Sequence, residues 1–177
     1  MAALPNLVTV EQFRNLPDDG QKYELRHGEV VPVGYPKAKH DNAQERLVDL
    51  LKARLPRSWR VGMEFPYRAL PEFDFRCADV AVVSRSRAID PEDSIRGAPE
   101  LVIEVESPSN TRRELAELAS LCLSNGSLEF WIIDLDKLSV TVMHRDGTAC
   151  VYATGQSIPL TAFGADSLPV DAIFAQE

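Results

Sequence analysis

The sequence predicts a mixed α/β fold in which helices flank a central mixed β-sheet. The run "CADVAVVS", residues 77–84, is apolar at both odd and even positions, which is typical of a central strand covered on both faces. Residues 38–55 and 111–125 place apolar side chains at helical spacing. Pairs of short extended runs surround the turn sequences "RHG" and "DG", as in β-hairpins. This order of elements indicates one sheet with helices packed against it.

The N-terminal segments predict a short helix and a hairpin. Thr9 and Gln12 have the spacing of a capping box, so a helix is expected over "VEQFRNL", before Pro17. The segment "KYELRHGEVVPV" then predicts two strands with Gly28 in the turn. Glu24 lies in the first of these strands.

The first long helix is predicted over residues 38–55, because Pro56 must end it. His40 shares the apolar stripe of Leu47 and Leu51, so its side chain is expected to face the sheet. An inward-facing histidine is either a hydrogen-bonded structural residue or part of a functional site. The pattern alone leaves both interpretations open.

The later segments complete the predicted sheet. "WRVGMEFPYRALP" predicts one or two strands, "RSRAIDPEDSIRGAP" a surface loop, "LEFWIIDL" an apolar strand, and the runs around Asp146-Gly147 a hairpin. The aromatic residues Trp59, Phe130 and Trp131 are expected to pack in the core. We expect the 177 residues to form a single domain, 1–177.

The charge balance is acidic, with 19 Lys and Arg against 27 Asp and Glu, a net charge of −8. This disfavours non-specific attraction to phosphate backbones, so a nucleic-acid partner would need a dedicated site. The three cysteines show neither disulfide nor metal-binding spacing. With no leader-like or membrane-length apolar run, the sequence predicts a soluble cytoplasmic protein with no membrane partner.

The strand "ELVIEVESPSN", residues 100–110, carries two carboxylates on one face. Because side chains alternate along a strand, Glu104 and Glu106 point the same way as Val102. Such a face is either solvated or part of a site. If this strand pairs with "CADVAVVS", Glu104 and Asp79 would lie about 5 Å apart and repel each other.

A cation between these carboxylates would remove the repulsion. Mg²⁺ or Mn²⁺ is the natural candidate, because these ions bind a few carboxylate oxygens and complete their coordination with water and phosphate oxygens. Glu24, in the hairpin, is a third candidate for the same neighbourhood.

Several motifs occur in an order that resembles the Uma-two family of restriction-endonuclease-like proteins, which is similar to the PD-(D/E)XK nuclease superfamily. They are "YELRHGEVV", "KH" before a helix, "ADVAVVS", "GAPELVIEVESPS", "RREL" and "LEFWIIDLD". The resemblance covers about residues 8–152 and leaves 153–177 as a C-terminal extension. It implies a restriction-endonuclease-like core with a metal site on its central strands.

The resemblance also assigns roles to individual residues. The family's acidic hairpin position falls on Glu24, its histidine on His40, its strand aspartate on Asp79 and its strand glutamate on Glu104. The backbone carbonyl of Val105 would be a further metal ligand. The implied activity is Mg²⁺- or Mn²⁺-dependent cleavage of DNA by an endonuclease.

The sequence departs from the family pattern at the basic residue. The superfamily's usual lysine, two residues after the strand glutamate, is replaced by Glu106, and the lysine often found on the following helix aligns with Leu118. Glu106 either acts as a general base or second-metal ligand, or reaches solvent at the strand end. Lys39, Arg112 and Arg113 are candidate substitutes for the missing charge, although a guanidinium cannot act as a base.

Three hypotheses follow for the function. The first is a metal-dependent endonuclease acting on DNA, with homodimerisation expected for cleavage of two strands. The second is a catalytically impaired, nuclease-derived binding or assembly module, suggested by the absent lysines. The third is a metal-dependent hydrolase of a small phosphorylated substrate.

Overall fold

The computed structural model describes residues 7–34, 37–89, 94–107 and 111–175. Its helices are α1 (Val10–Arg14), α2 (Ala38–Arg54), α3 (Arg112–Ser124) and α4 (Val170–Phe174), with a 3₁₀-helix at Thr161–Phe163. Its strands are β1 (Tyr23–Arg26), β2 (Glu29–Pro32), β3 (Trp59–Arg68), β4 (Arg76–Ser84), β5 (Ile95–Arg96), β6 (Leu101–Val105), β7 (Glu129–Asp134), β8 (Ser139–His144), β9 (Ala149–Ala153), β10 (Ser157–Pro159) and β11 (Ser167–Pro169).

Within the described residues, seven strands form one mixed sheet in the order β5-β3-β4-β6-β7-β8-β9. Strands β3, β4 and β6 are antiparallel neighbours, whereas β6 and β7 are parallel and are joined through α3. The predicted mixed α/β fold is therefore confirmed.

The β1–β2 hairpin forms a separate two-stranded sheet beside the start of β4. The hairpin is hydrogen-bonded to the residue before β4, since the Leu25 N–H donates to the Phe75 carbonyl at 2.9 Å. The hairpin predicted from "RHG" is confirmed, with His27 and Gly28 both at positive φ in its turn.

Local sequence signals explain where two helices begin. The Thr9 N–H donates to the Gln12 side chain at 2.8 Å, which closes the predicted capping box of α1. Thr111 and Glu114 form a second capping box at α3, with the Thr111 N–H donating to the Glu114 carboxylate at 2.8 Å.

Two buried clusters lie on opposite faces of the sheet. The first, here the α2-side core, includes Leu47, Leu51, Val80 and Ile103, and the second, the α3-side core, includes Ala119, Cys122, Ala81 and Val102. Every residue of β6 is buried. The alternative of a solvated acidic face on this strand is therefore wrong for Glu104, which is only 8% exposed.

The alternation of side chains breaks at one level of β3 and β4. Val61 and Val82, which pair across the strands, belong to the α2-side core, whereas the pair Phe65 and Ala78 belongs to the α3-side core. Between them lies Glu64, whose φ of 47° is uncommon for a residue other than glycine. At the level of Glu64 and Asp79, the inward-facing side chains of β3 and β4 therefore switch from one face of the sheet to the other.

The segment "RSRAIDPEDSIRGAP" is not only the surface loop that the sequence predicts. Ile95 lies in β5, pairs with β3 and is buried, as are Ser94 and Ala98. Residues 90–93 lie outside the described residues. None of the helices in the described part of the chain has the length and apolar character needed to cross a bilayer.

Candidate functional site

A groove of about 1900 Å³ opens between the β1–β2 hairpin, the start of α2, the strands β3, β4 and β6, and α3. Leu118 of α3 lines one of its walls. The groove is also lined by all five side chains that the sequence analysis assigned as catalytic: Glu24, His40, Asp79, Glu104 and Glu106.

Asp79 and Glu104 lie at the point where β4 and β6 separate. Val80 pairs with Ile103, so Asp79 and Glu104 occupy the next opposed positions, where the backbone pairing stops. There the carboxylate of Asp79 accepts the Val105 N–H at 2.7 Å. A side chain thus replaces the backbone carbonyl that would otherwise continue the ladder, and the strands part to form the floor of the groove.

Asp79 is also held by two side chains of α2. Gln44 donates from Nε2 to Oδ1 of Asp79 at 2.9 Å, and His40 Nε2 lies 3.1 Å from its Oδ2. His40 and Gln44 are four residues apart and so share one face of the helix. The expectation that His40 faces the sheet is confirmed.

The environment of His40 favours its protonated form. The hydrogen bond to Asp79 raises the pKa of the imidazole, burial opposes this, and the Val105 carbonyl adds to the rise. A protonated His40 places a positive charge against one of the two opposed carboxylates. Its Nδ1 atom is buried and meets no partner among the described residues.

The Glu104 carboxylate makes no direct contact with a positive group of the described residues. No described donor or basic side chain forms a hydrogen bond or ion pair with its carboxylate. Burial raises the pKa of Glu104 well above its usual range, and the charges of Asp79 and Glu24 raise it further. This carboxylate therefore lacks the hydrogen-bonded or ion-paired partner that a buried charge requires among the described residues.

The sequence patterns did not indicate Lys22 and Glu64, which line the groove, or Gln44, which is buried beside it. Gln44, which is fully buried, donates to Glu64 at 3.1 Å as well as to Asp79. Lys22 forms an ion pair with Glu64. Burial lowers the pKa of Lys22, but the hydrogen bond and attraction from Glu64 outweigh it, so the pKa is raised.

Glu24 already has partners in the structure. Arg26 donates from Nε to its carboxylate at 2.9 Å, and the Cys77 N–H donates to its other oxygen at 3.2 Å. The acidic hairpin residue therefore links β1 to the start of β4 and contributes negative charge to the groove.

The two positions of the absent lysine lie at different places in the groove. Glu106 follows β6 and is half-buried, with its N–H donating to the Ile133 carbonyl at 2.9 Å. Leu118 packs against the α3-side core. Of the suggested substitutes, Arg112 is exposed and the other two pair elsewhere: Lys39 with Asp136 at 3.4 Å and Arg113 with Glu117 at 2.8 Å.

The donor set suits a hard divalent cation. Mg²⁺ is commonly bound through one or two carboxylates, with water and phosphate oxygens filling the remaining positions. Asp79, Glu104 and the carbonyl of Val105 could supply these ligands. In the ranges that the structure describes, no group of three or more His, Cys, Asp or Glu side chains is arranged to hold a metal ion.

A family model described as "Putative restriction endonuclease", Uma2, matches residues 10–171. The chain belongs to the Uma2 family. The match includes most of the segment after Tyr152, which the motif resemblance did not cover. The family predicted from the sequence motifs is confirmed.

One solved structure similar to this Uma2 chain is that of "a putative nuclease belonging to DUF820" from Anabaena variabilis, with a TM-score of 0.78 and 23% sequence identity. The alignment covers 94% of this chain and 97% of that chain. A likeness at this identity supports the fold, and the predicted restriction-endonuclease-like architecture is confirmed. A comparison with curated proteins gives no match.

Proposed function

We propose that this Uma2 protein is an endonuclease that hydrolyses DNA phosphodiester bonds with the help of Mg²⁺ or Mn²⁺. The observation that carries the proposal is the Glu104 carboxylate, which is buried in the groove opposite Asp79 and forms no hydrogen bond or ion pair with a described basic side chain. Family membership supports the same reaction class.

In this proposal Asp79, Glu104 and the Val105 carbonyl hold the cation. When bound, the metal would activate a water molecule and stabilise negative charge developing on the phosphate. Asp79 is well placed for this role, because the Val105 N–H, Gln44 and His40 together fix the orientation of its carboxylate.

Two further carboxylates have proposed roles. Glu106 lies in the groove two residues beyond Glu104, where it could accept a proton from the attacking water as a general base. Glu24 adds negative charge that favours cation uptake, although its own oxygens are engaged by Arg26 and Cys77. The proposal also includes a homodimer, because two sites are needed to cut both strands of a duplex.

A second candidate, a nuclease-derived binding module, is favoured by Leu118. This apolar side chain lines the groove at the helix position where the motif resemblance implies a lysine. The other implied position, two residues after Glu104, carries Glu106. Such a module would bind without metal-dependent cleavage.

Cleavage of supercoiled plasmid DNA and of a single-stranded RNA, each with Mg²⁺, Mn²⁺ or EDTA, tests the proposal. The expected result is metal-dependent nicking of DNA that is lost in Asp79→Asn and Glu104→Gln. The exposed residues Asp49 and Glu45 of α2 provide matched controls, Asp49→Asn and Glu45→Gln. Cleavage that persists equally in all four variants would contradict the proposed site, and absence of cleavage in the wild type would favour the binding module.

A further inference from the structure

Arg76 is a cationic side chain of the groove that the proposed reaction does not yet use. It lies at the start of β4 and its side chain is only 9% exposed. Its Nε donates to Oδ1 of Asp74 at 2.6 Å, and Asp74 is fully buried. This bond fixes the plane of the guanidinium group.

The two terminal nitrogens of Arg76 have a different environment. Among the described residues, neither Nη1 nor Nη2 meets a hydrogen-bond acceptor, and Asp74 is the one carboxylate within 4 Å of the guanidinium. Neither nitrogen is sealed inside the protein, and Arg76 lines the groove. A buried guanidinium therefore presents its remaining donors to the same cavity as Glu104.

Arg76 and Glu104 line the same groove without contacting each other. The charge of Arg76 opposes the rise in the pKa of Glu104 that burial and Asp79 cause. The two groups are nevertheless more than 4 Å apart and share no hydrogen bond. The guanidinium fork matches the paired oxygens of a phosphate group better than any other basic side chain does.

We propose that Arg76 binds a phosphate of the nucleic-acid substrate through Nη1 and Nη2, beside the Asp79 and Glu104 carboxylates. It would then supply, from β4, the positive charge that is absent at Glu106 and Leu118. This inference rests on the proposed nuclease function for the identity of the substrate. In this role Arg76 donates hydrogen bonds to the phosphate. It does not act as a general base, since a guanidinium does not take up protons from water near neutral pH.

The first test measures binding of a fluorescein-labelled DNA duplex in Ca²⁺, by anisotropy, over a series of salt concentrations. Arg76→Gln is expected to weaken binding by about 10- to 100-fold, the usual range for a charge-assisted hydrogen bond. The slope of log affinity against log salt should fall by about 1, as for one lost phosphate contact. Arg85, an exposed arginine just beyond the other end of β4, gives the matched control Arg85→Gln, which should change neither value.

Mn²⁺ uptake by calorimetry separates a phosphate contact from an indirect effect through Glu104. The proposal expects Arg76→Gln to bind Mn²⁺ within about 3-fold of the wild type. The reason is that Arg76 contacts Asp74 and not the proposed metal ligands, so the substitution leaves those carboxylates in place. Unchanged DNA binding, or parallel loss of Mn²⁺ and DNA binding, would overturn it. If Arg76→Gln unfolds because Asp74 is left unpaired, Asp74→Asn with Arg76→Gln removes both partners and takes its place.

A second arm does not depend on nuclease activity. Thermal unfolding is followed in sodium phosphate and in sodium chloride at equal ionic strength. Phosphate stabilises folded proteins in general, so the expected result is a larger stabilisation of the wild type than of the Arg76 variant. If the wild type binds no DNA but shows this difference, the nuclease proposal fails and the anion site stands; equal stabilisation of both proteins would overturn the anion site itself.

Discussion

The Asp79 carboxylate lies 2.7 Å from the backbone nitrogen of Val105, so a side chain continues the hydrogen bonding of β4 and β6 where their backbones part. The same carboxylate accepts from Gln44 of α2. The groove therefore lies at the junction of two strands and a helix. Asp79, a proposed metal ligand, also holds these elements together.

Replacing Asp79 should destabilise the protein even without metal. Asp79→Ala removes the acceptor for Gln44 and for the Val105 N–H, which would be left unsatisfied. We expect the free energy of unfolding to fall by about 1–3 kcal/mol, measured by urea denaturation in EDTA. Asp49→Ala, on the exposed face of α2, should change it by less than about 0.5 kcal/mol; equal effects would contradict the structural role of Asp79.

Replacing Glu104 should have the opposite effect on the metal-free protein. Its raised pKa means that the folded state holds the proton more tightly than the unfolded state. The contribution of Glu104 to stability is therefore present below its unfolded pKa and is lost as the pH rises through the folded pKa. Glu104→Gln should be more stable than the wild type at neutral pH, by about 1 kcal/mol or more.

The sign of this difference can be checked with metal and with pH. The advantage of Glu104→Gln should vanish in acid, where both side chains are neutral, and should reverse when Mn²⁺ stabilises the wild type by about 2.7 kcal/mol at a hundred times its Kd. Parallel stability curves for the two proteins between acid and neutral pH would refute the assignment of a buried, unpartnered Glu104.

Introducing a lysine on α3, at the position where the motif resemblance implies one, should increase cleavage. Leu118 lines the groove and is half-buried, so the stem of a lysine can pack there while its ammonium group reaches the carboxylates. We expect Leu118→Lys to raise the rate of plasmid nicking at least about tenfold, as a positioned electrostatic group does. Leu121→Lys, one turn along the same wall, is the control; an equal gain in both variants would indicate only stronger attraction of DNA.

The three cysteines should differ sharply in reactivity. Burial raises the pKa of the Cys77 thiol to about 11 and that of Cys122 to about 12, whereas Cys150 is exposed. Since the thiolate is the reactive form, iodoacetamide at pH 8 should modify Cys150 alone in the native protein and all three in urea, as read by mass spectrometry. Modification of Cys77 as fast as that of Cys150 would show that the groove floor opens readily.

The opposition of Asp79 and Glu104 could be predicted from the sequence because it depends on two strong patterns. Val80 to Val83 read as a central strand, and the alternation of Leu101 to Val105 fixed which side Glu104 takes. The pairing of the two strands was a condition of this prediction, and the structure supplies it, with Asp79 and Glu104 at the positions next to the pair Val80 and Ile103.

The partners of these carboxylates could not be predicted in the same way. Glu64 reaches the groove because its own positive φ breaks the alternation of side chains along β3, and no periodicity in the sequence indicates such a break. Gln44 read as an ordinary polar position of α2, yet it is fully buried between Asp79 and Glu64. Arg76 gave no signal either, since its role depends on Asp74 and on the shape of the cavity.

The most direct test of the central claim is calorimetric titration of the metal-free protein with Mn²⁺, compared with Glu104→Gln and Glu45→Gln. Stoichiometric uptake by the wild type and by Glu45→Gln, with a large loss of affinity in Glu104→Gln, is the expected result. No uptake by the wild type, or equal uptake by all three proteins, would contradict the claim that Asp79 and Glu104 together hold a divalent cation.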